Sequence, residues 1–419
     1  MRTVTRLYLS NDTSARAAGA GVLDDAWSEH PEVQLIRISS RGAFYLEPMV
    51  ERDSPAGRVA WFNVTAQDLP LILSGTDGTP VRSIPFLAQQ TRFTFADFGE
   101  TEPLALGEYQ ARGGLSGLET ALRIGPDAII EELQVSQLRG RGGAAFPVWN
   151  KWKVAQQARA DQKYVVANAD EGDAGTYCDR MILEGDPFRL LEGMLICARA
   201  IGAGRGYVYC RQEYPAAAKT LRAAIQKADE AELLELDGEP FPIEVVEGAG
   251  SYVCGEETAL LESLEGKRGV VRARPPYPAQ SGLYGRPTIV SNVLTFATIP
   301  NILSRGGAWH AALGTEQSRG TMALQLGGRV KHPGLVEVPF GLSLHQVMEQ
   351  FGGGMAPEFA GSAEARLDCP HGHALDPADL FQRQVLKFGQ DNGRPLLERQ
   401  VREGRIEPPS GHMRSPGTL

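Results

Sequence analysis

The side chains best suited to chemistry are concentrated between Leu138 and Gly175. The stretch opens with Leu138-Arg-Gly-Arg-Gly-Gly-Ala-Ala-Phe-Pro147, passes through Lys151 and Trp152, and closes with Asn168-Ala-Asp-Glu-Gly-Asp-Ala-Gly175. Glycines at positions 140, 142 and 143 allow the backbone to approach a phosphate and turn amides toward it. Arg141 lies among them, Lys151 offers a cation for a phosphate or a flavin carbonyl, and Phe146 offers a flat apolar face. Asn168, Asp170, Glu171 and Asp173 follow as acceptors of the kind that hold sugar hydroxyls. Phosphate donors, an aromatic face and sugar acceptors in one stretch point to a nucleotide site.

Spacing alone leaves alternatives open. Gly140, Gly142 and Ala145 fit G-x-G-x-x-A, but the dinucleotide fingerprint follows a strand and opens a helix. Here the preceding residues, Pro126 to Leu138, have helical spacing, so a structural glycine turn stays open. Glu256 and Glu257, a second acidic pair, also fit a plain helix N-terminus, where the dipole favours carboxylates. Asp170, Glu171 and Asp173 fit a solvated loop, and Phe146 and Tyr277 fit a core.

The elements that must position these residues alternate strand and helix. Lys163 to Asn168, Gly206 to Cys210 and Ile243 to Val246 read as strands; Asp186 to Ala203 and Pro215 to Leu234 read as helices. Strands separated by helices imply right-handed crossovers and a parallel sheet, whose ligands bind beyond the carboxyl ends of the strands. Asn168-Ala-Asp-Glu171 and Glu247-Gly-Ala-Gly250 fall at such ends. Before this core, Thr3 to Leu9 and Val33 to Ile38 read as strands flanking a helix from Ser14 to His30. Gly42 to Val50 and Gly57 to Val64 read as two further strands. Residues 81–110 form a connector anchored by Phe93, Phe95 and Phe98, and two amphipathic helices follow up to 138.

The wording of these motifs resembles the NADH- and FMN-binding subunit of respiratory complex I and its relatives. Those relatives include the diaphorase subunit of NAD-reducing hydrogenases and the beta subunit of soluble NAD-dependent formate dehydrogenases. The family pattern is roughly L-R-G-R-G-G-A-G-F-P-T-G-x-K-W, then N-A-D-E-x-x-P-G-T; this chain departs from it at Ala145, Val148, Trp149 and Ala174. The resemblance continues through Gly248-Ala-Gly-Ser-Tyr-Val-Cys-Gly-Glu-Glu-Thr-Ala-Leu260, Arg274-Pro-Pro-Tyr-Pro278 and Pro287-Thr288.

The resemblance implies an α/β fold: a parallel-sheet FMN- and NADH-binding domain over residues 111–319. A thioredoxin-like domain without cluster ligands precedes it over 1–80. A small ubiquitin-like β-grasp domain follows over 320–352, and then a divergent, partly disordered tail over 353–419. It implies FMN contacts at Gly140, Arg141, Gly142, Gly143, Lys151, Asn168, Asp170, Glu171, Tyr252, Gly255, Glu256, Ser291 and Asn292. For NADH it implies Phe146 on the adenine, Asp173 on a ribose, and Arg274 and Tyr277 flanking the dinucleotide. Glu257 is placed by the nicotinamide and is taken, with Glu256, as catalytic. Asp173 stands where relatives carry Glu, and Val154 where some carry a second aromatic.

Composition bounds the rest. The chain has 419 residues, room for two to four domains, and 42% hydrophobic residues, enough for a sizeable core. A net charge of -9 argues against a nucleic-acid surface. No apolar run reaches the ~18 residues of a membrane span, and Met1 to Ser10 lacks a signal-peptide core, so a cytoplasmic protein is expected. The five cysteines, Cys178, Cys197, Cys210, Cys254 and Cys369, are scattered, and none forms a C-x-x-C pair. A cubane cluster needs about four thiolates, usually closely spaced, so no iron–sulfur cluster is expected, and no metal site. Asp368-Cys-Pro-His-Gly-His373 reads as a surface loop.

The sequence thus leads to an NADH:acceptor oxidoreductase subunit of diaphorase type that works beside iron–sulfur and catalytic subunits of an electron-transfer complex. Among relatives, the fused N-terminal unit favours the formate dehydrogenase beta subunit. A cofactor-binding scaffold that passes no electrons is the alternative.

Overall fold

The computed structural model describes residues 4–173 and 175–355. Cys369, His371 and His373 lie outside the described residues.

The first unit begins with β1 (Thr5–Ser10), which buries Leu7 and Leu9. Asp12 accepts the amide of Ala15 and so starts α1 (Thr13–Ala17). The expected single helix from Ser14 to His30 is two, because Gly19 at φ +110° interrupts the run before α2 (Ala20–Trp27). β2 (Val33–Ile38) returns parallel to β1. The expected strand from Gly42 to Val50 is absent; this segment is irregular, with a short 3-10 turn over Phe44–Leu46. Pro48 has no amide for a ladder, and the buried Glu47 carboxylate accepts the Ser40 hydroxyl and the Met49 amide instead. The hairpin is β3 (Val50–Ser54) with β4 (Gly57–Trp61). After α3 (Leu69–Ser74), the short β5 (Thr79–Pro80) completes a mixed sheet of order β2-β1-β3-β4-β5.

α4 (Pro85–Ala88) opens the link to the second unit, where Phe93, Phe95 and Phe98 are all buried. Three helices follow where two were expected: α5 (Leu106–Ala111), α6 (Ser116–Ile124) and α7 (Pro126–Ser136). A buried Glu192 carboxylate fastens α5 and α6 by accepting the Tyr109 hydroxyl and the amides of Leu115 and Leu118.

The second unit runs α8 (Val148–Gln157), β6 (Tyr164–Ala169), α9 (Cys178–Gly185), α10 (Pro187–Ile201), β7 (Arg205–Cys210) and α11 (Pro215–Glu230). A small hairpin, β8 (Glu235–Leu236) with β9 (Glu239–Pro240), precedes β10 (Ile243–Glu247). Then come α12 (Glu257–Leu264), β11 (Thr288–Asn292), α13 (Val293–Arg305) and α14 (Gly307–Ala311). The four strands are parallel in the order β10-β7-β6-β11. The chain builds outward from β6 through β7 to β10 and only later places β11 on the other side of β6. β6 is therefore the strand at which the order reverses, and the crevice beyond its carboxyl end is where such sheets bind ligands. α10 is apolar almost all round and correspondingly buried. A Cβ on its Gly193 would meet the Phe296 carbonyl oxygen of α13, so the glycine lets the two helices touch.

The last described segment is an antiparallel hairpin, β12 (Thr321–Leu326) with β13 (Gly334–Pro339), followed by α15 (Leu344–Gln350). Val336, Val338, Val347 and Phe351 pack with Ala43, Ala60, Val81 and Phe86, so this segment shares a core with the first unit. Glu337 of β13 accepts the amides of Phe93, Thr94 and Phe95.

Candidate functional site

Two asparagines stand side by side at the reversal point. In the parallel register of β6 and β11, Asn168 is paired with Asn292, and Ser291 with Ala167. The loop from Gly140 to Phe146 closes over them. Its base is a short ladder, with the Gly140 amide on the Phe146 carbonyl at 2.9 Å and the Val148 amide on Leu138 at 3.0 Å. Gly143 and Ala145 take positive φ, +103° and +51°, which turns the exposed loop back on itself. The Arg141 amide donates to the Thr295 hydroxyl at 2.8 Å, pinning the loop to α13. Gly142 lies so near Asn292 that a Cβ there would stand 3.0 Å from the Asn292 Cβ.

Asn168 orients the opposite wall. Its side chain donates to the Gly255 carbonyl at 2.8 Å and accepts the Asp170 amide at 3.1 Å. A Cβ on Gly255 would approach the Asp170 carbonyl oxygen at 3.3 Å. Asp170 is half-buried, and burial lifts its carboxyl to about 6, an effect Arg211 opposes and Glu213 reinforces. Asp173 is exposed and accepts the Tyr252 hydroxyl at 2.6 Å, while the Tyr252 ring covers Gly172.

The charged groups form one cluster. Lys151, on the first turn of α8, donates to the Val290 carbonyl and to Glu257, both at 2.6 Å. The other Glu257 oxygen accepts Arg274 at 3.1 Å. Glu256 begins α12 as its cap, accepting the amides of Thr258 and Ala259, and its second oxygen pairs with Arg274. The helix-terminus reading of Glu256 thus describes its actual contacts.

Glu171, expected as a flavin contact, lies against the head of α9. Its carboxylate is buried and accepts the amides of Asp179 and Arg180, which start α9. Burial raises its pKa. Asp179, which sequence reasoning passed over, is buried beneath Asn292 and accepts its side-chain amide and the Leu294 amide. Burial and the neighbouring Glu171 hold its carboxyl well above the usual range. Thr295 and Asp179 act on residues far away in sequence, so no local motif marks them. Arg141 turns away from the crevice, its guanidinium reaching the Arg319 carbonyl and lying over the Phe340 ring. Phe146 and Tyr277 stand about half exposed, as free faces rather than core. A separate depression of about 480 Å³ behind α12 is lined by Glu262, Glu265 and Arg272 and holds none of the expected contacts.

The glycine cradle and its neighbouring cation fit a flavin mononucleotide. Two glycines lie where a Cβ would crowd Asn292 or the Asp170 carbonyl, Lys151 sets a cation against the Val290 carbonyl of β11, and the side-chain amides of Asn168 and Asn292 brace the walls through Gly255 and Asp179. Residues 133–301 match the family described as the Nuo51 FMN-binding domain. The chain is 46% identical over 296 residues to the NADP-reducing hydrogenase subunit HndC of Solidesulfovibrio fructosivorans, covering 70% of this chain and 60% of that one. It is 42% identical over 289 residues to an NADH-quinone oxidoreductase subunit of Escherichia coli (strain K12), covering 65% of each. In structure it is similar to a chain of an NAD+-reducing [NiFe]-hydrogenase in the H2-reduced state, with a TM-score of 0.55, 30% identity, and 84% and 61% of the two chains covered. The chain thus spans about three fifths of the length of these relatives. Among the described residues, no helix is long and apolar enough to cross a membrane. Residues 133–301 are thus similar to the Nuo51 FMN-binding domain, and the chain is similar to subunits of an NADP-reducing hydrogenase and of NADH-quinone oxidoreductases.

Proposed function

We propose that the chain is a diaphorase-type subunit that oxidises NADH with FMN and hands the electrons to partner subunits. The observation that carries this reading is the pairing of Asn168 with Asn292 at the reversal point of the sheet, with Gly142 against Asn292. Gly140, Gly142, Gly143, Asn168, Ser291 and Asn292 would hold the flavin, with Lys151 as the cation beside it. When bound, FMN supplies the chemistry that takes a hydride and releases electrons singly. The protein's part is to hold the flavin ring flat, offer Phe146 and Tyr277 as stacking faces, and place Asp173 for a ribose. Glu171 acts from behind, fixing the start of α9 and through it Asp179 and Asn292. Arg141 acts through its backbone amide rather than its charge.

At the finer level we assign the first unit as a thioredoxin-like docking domain without cluster ligands, and the hairpin with α15 as the start of a β-grasp unit. A first unit fused to the flavin domain favours a formate dehydrogenase beta subunit, with a hydrogenase diaphorase alongside. The partners are iron–sulfur and catalytic subunits in the cytoplasm, and the scattered cysteines of the sequence argue against a cluster held by this chain. The test is anaerobic purification, flavin identification, and NADH oxidation with ferricyanide or a viologen dye. A chain that neither binds FMN nor reduces the dye would overturn the assignment.

A further inference from the structure

We infer that Glu257 couples the two halves of the site as a shared counter-ion. It makes flavin and dinucleotide mutually antagonistic. The inference rests on the flavin and dinucleotide reading above.

Three segments meet at this carboxylate. Lys151 comes from α8, Glu257 from the start of α12, and Arg274 from the loop before β11. Oε2 of Glu257 takes Lys151 at 2.6 Å and Oε1 takes Arg274 at 3.1 Å, so both ion pairs exist at once on separate oxygens. The three side chains are only 22%, 21% and 32% exposed, so their mutual attraction is less screened than on an open surface. Glu256 does not share the role. One of its oxygens is committed to the Thr258 and Ala259 amides and the other to Arg274.

A flavin oxygen that draws Lys151 off leaves the whole Glu257 charge facing Arg274. Arg274 is then held back from a dinucleotide phosphate. A dinucleotide that draws Arg274 off leaves Glu257 facing Lys151, and the flavin loses by the same factor, since coupling between binding sites is reciprocal. Coupling of this kind spans ~5- to 150-fold, and a partly exposed network belongs at the low end, about 5-fold. The bridge thereby favours release of the dinucleotide from a flavin-loaded site.

The experiment measures the NAD+ dissociation constant by calorimetry on the full chain, flavin-free and FMN-loaded, and takes the ratio of loaded to free. Glu257→Gln should lower that ratio about 5-fold. The reciprocal ratio, the FMN dissociation constant with saturating NAD+ over that without, should fall equally. Glu262→Gln is the control, because Glu262 lies on the same helix but pairs with Arg272 and Lys267; it should leave the ratio unchanged. Should Glu257→Gln fail to fold, the wild-type ratio at ~1 M salt, where charges are screened within ~3 Å, should fall in the same direction. An unchanged ratio in Glu257→Gln, or an equal change in Glu262→Gln, overturns the coupling while leaving the flavin reading intact. A chain that takes up neither FMN nor NAD+ overturns both.

Discussion

Replacing Gly142 with valine should weaken flavin binding while leaving the domain folded. A Cβ on Gly142 stands 3.0 Å from the Asn292 Cβ and 3.7 Å from its Cγ, and valine adds two methyls beyond it. Asn292 cannot withdraw freely. Its side chain accepts the Thr295 amide at 3.2 Å at the head of α13 and donates to the buried Asp179. Overpacking of this kind costs ~1–3 kcal/mol, and displacing the cap would add about 1 kcal/mol. Gly142 is itself exposed, so the loop can relieve the clash by lifting outward, and global stability should fall by only ~1 kcal/mol. The lifted loop no longer presents its amides to a phosphate. If about 2 kcal/mol of that strain falls on the bound state, FMN binds roughly 30-fold more weakly. The assay is fluorescence quenching of FMN titrated with flavin-free chain, with circular dichroism as the folding check. Gly143→Ala is the comparison: φ is +103° and no atom lies within 4 Å of the added Cβ, so it strains the backbone without filling the cradle. It should cost about 1 kcal/mol of stability and much less affinity. Equal FMN affinity for wild type and Gly142→Val would refute the geometry.

Three further outcomes are expected. Asp173 is acidic and exposed where a ribose is expected, so NADH should bleach the flavin faster than NADPH at equal concentration; equal or reversed stopped-flow rates would count against Asp173 as the ribose acceptor. Asp170 titrates at about 6 rather than near its usual value. The folded state therefore binds more protons than the unfolded state between roughly pH 4 and 6, and ionised Asp170 weakens the fold above that window. Asp170→Asn should raise stability by about 1 kcal/mol at pH 8, after discounting for partial exposure, and change nothing at pH 4; a melting temperature unchanged at pH 8 contradicts this. Iron and sulfide analysis of anaerobically purified chain should find none, and about four irons per chain, the content of one cubane, would refute the absence of a cluster.

Much of the architecture can be read from periodicity, because the strands and helices around β6 are long and strongly patterned. Lys163 to Asn168 and Pro215 onward fall within a few residues of β6 and α11. Reading failed where side chains bond to nearby backbone and where a glycine takes a positive φ. Glu47 and Pro48 turn Gly42 to Val50 away from a strand, and Gly19 divides one apparent helix into two. At the site, the residue types were legible, but their partners were not. Asn168 and Asn292 become neighbours only through the pairing of β6 with β11. Glu171 stands in its motif as a flavin contact, and its hold on the start of α9 was not legible there, because the amides of Asp179 and Arg180 lie within reach only after the chain has turned. Asp179 carries no mark of its own, since its role consists entirely of holding a residue from another strand.

The most direct measurement mixes NADH with FMN-reconstituted chain under anaerobic conditions and follows the visible flavin absorption. The account predicts a yellow protein whose absorption bleaches on mixing and returns when ferricyanide is added. A chain that stays colourless after incubation with FMN, or a bound flavin that NADH leaves oxidised, would contradict it.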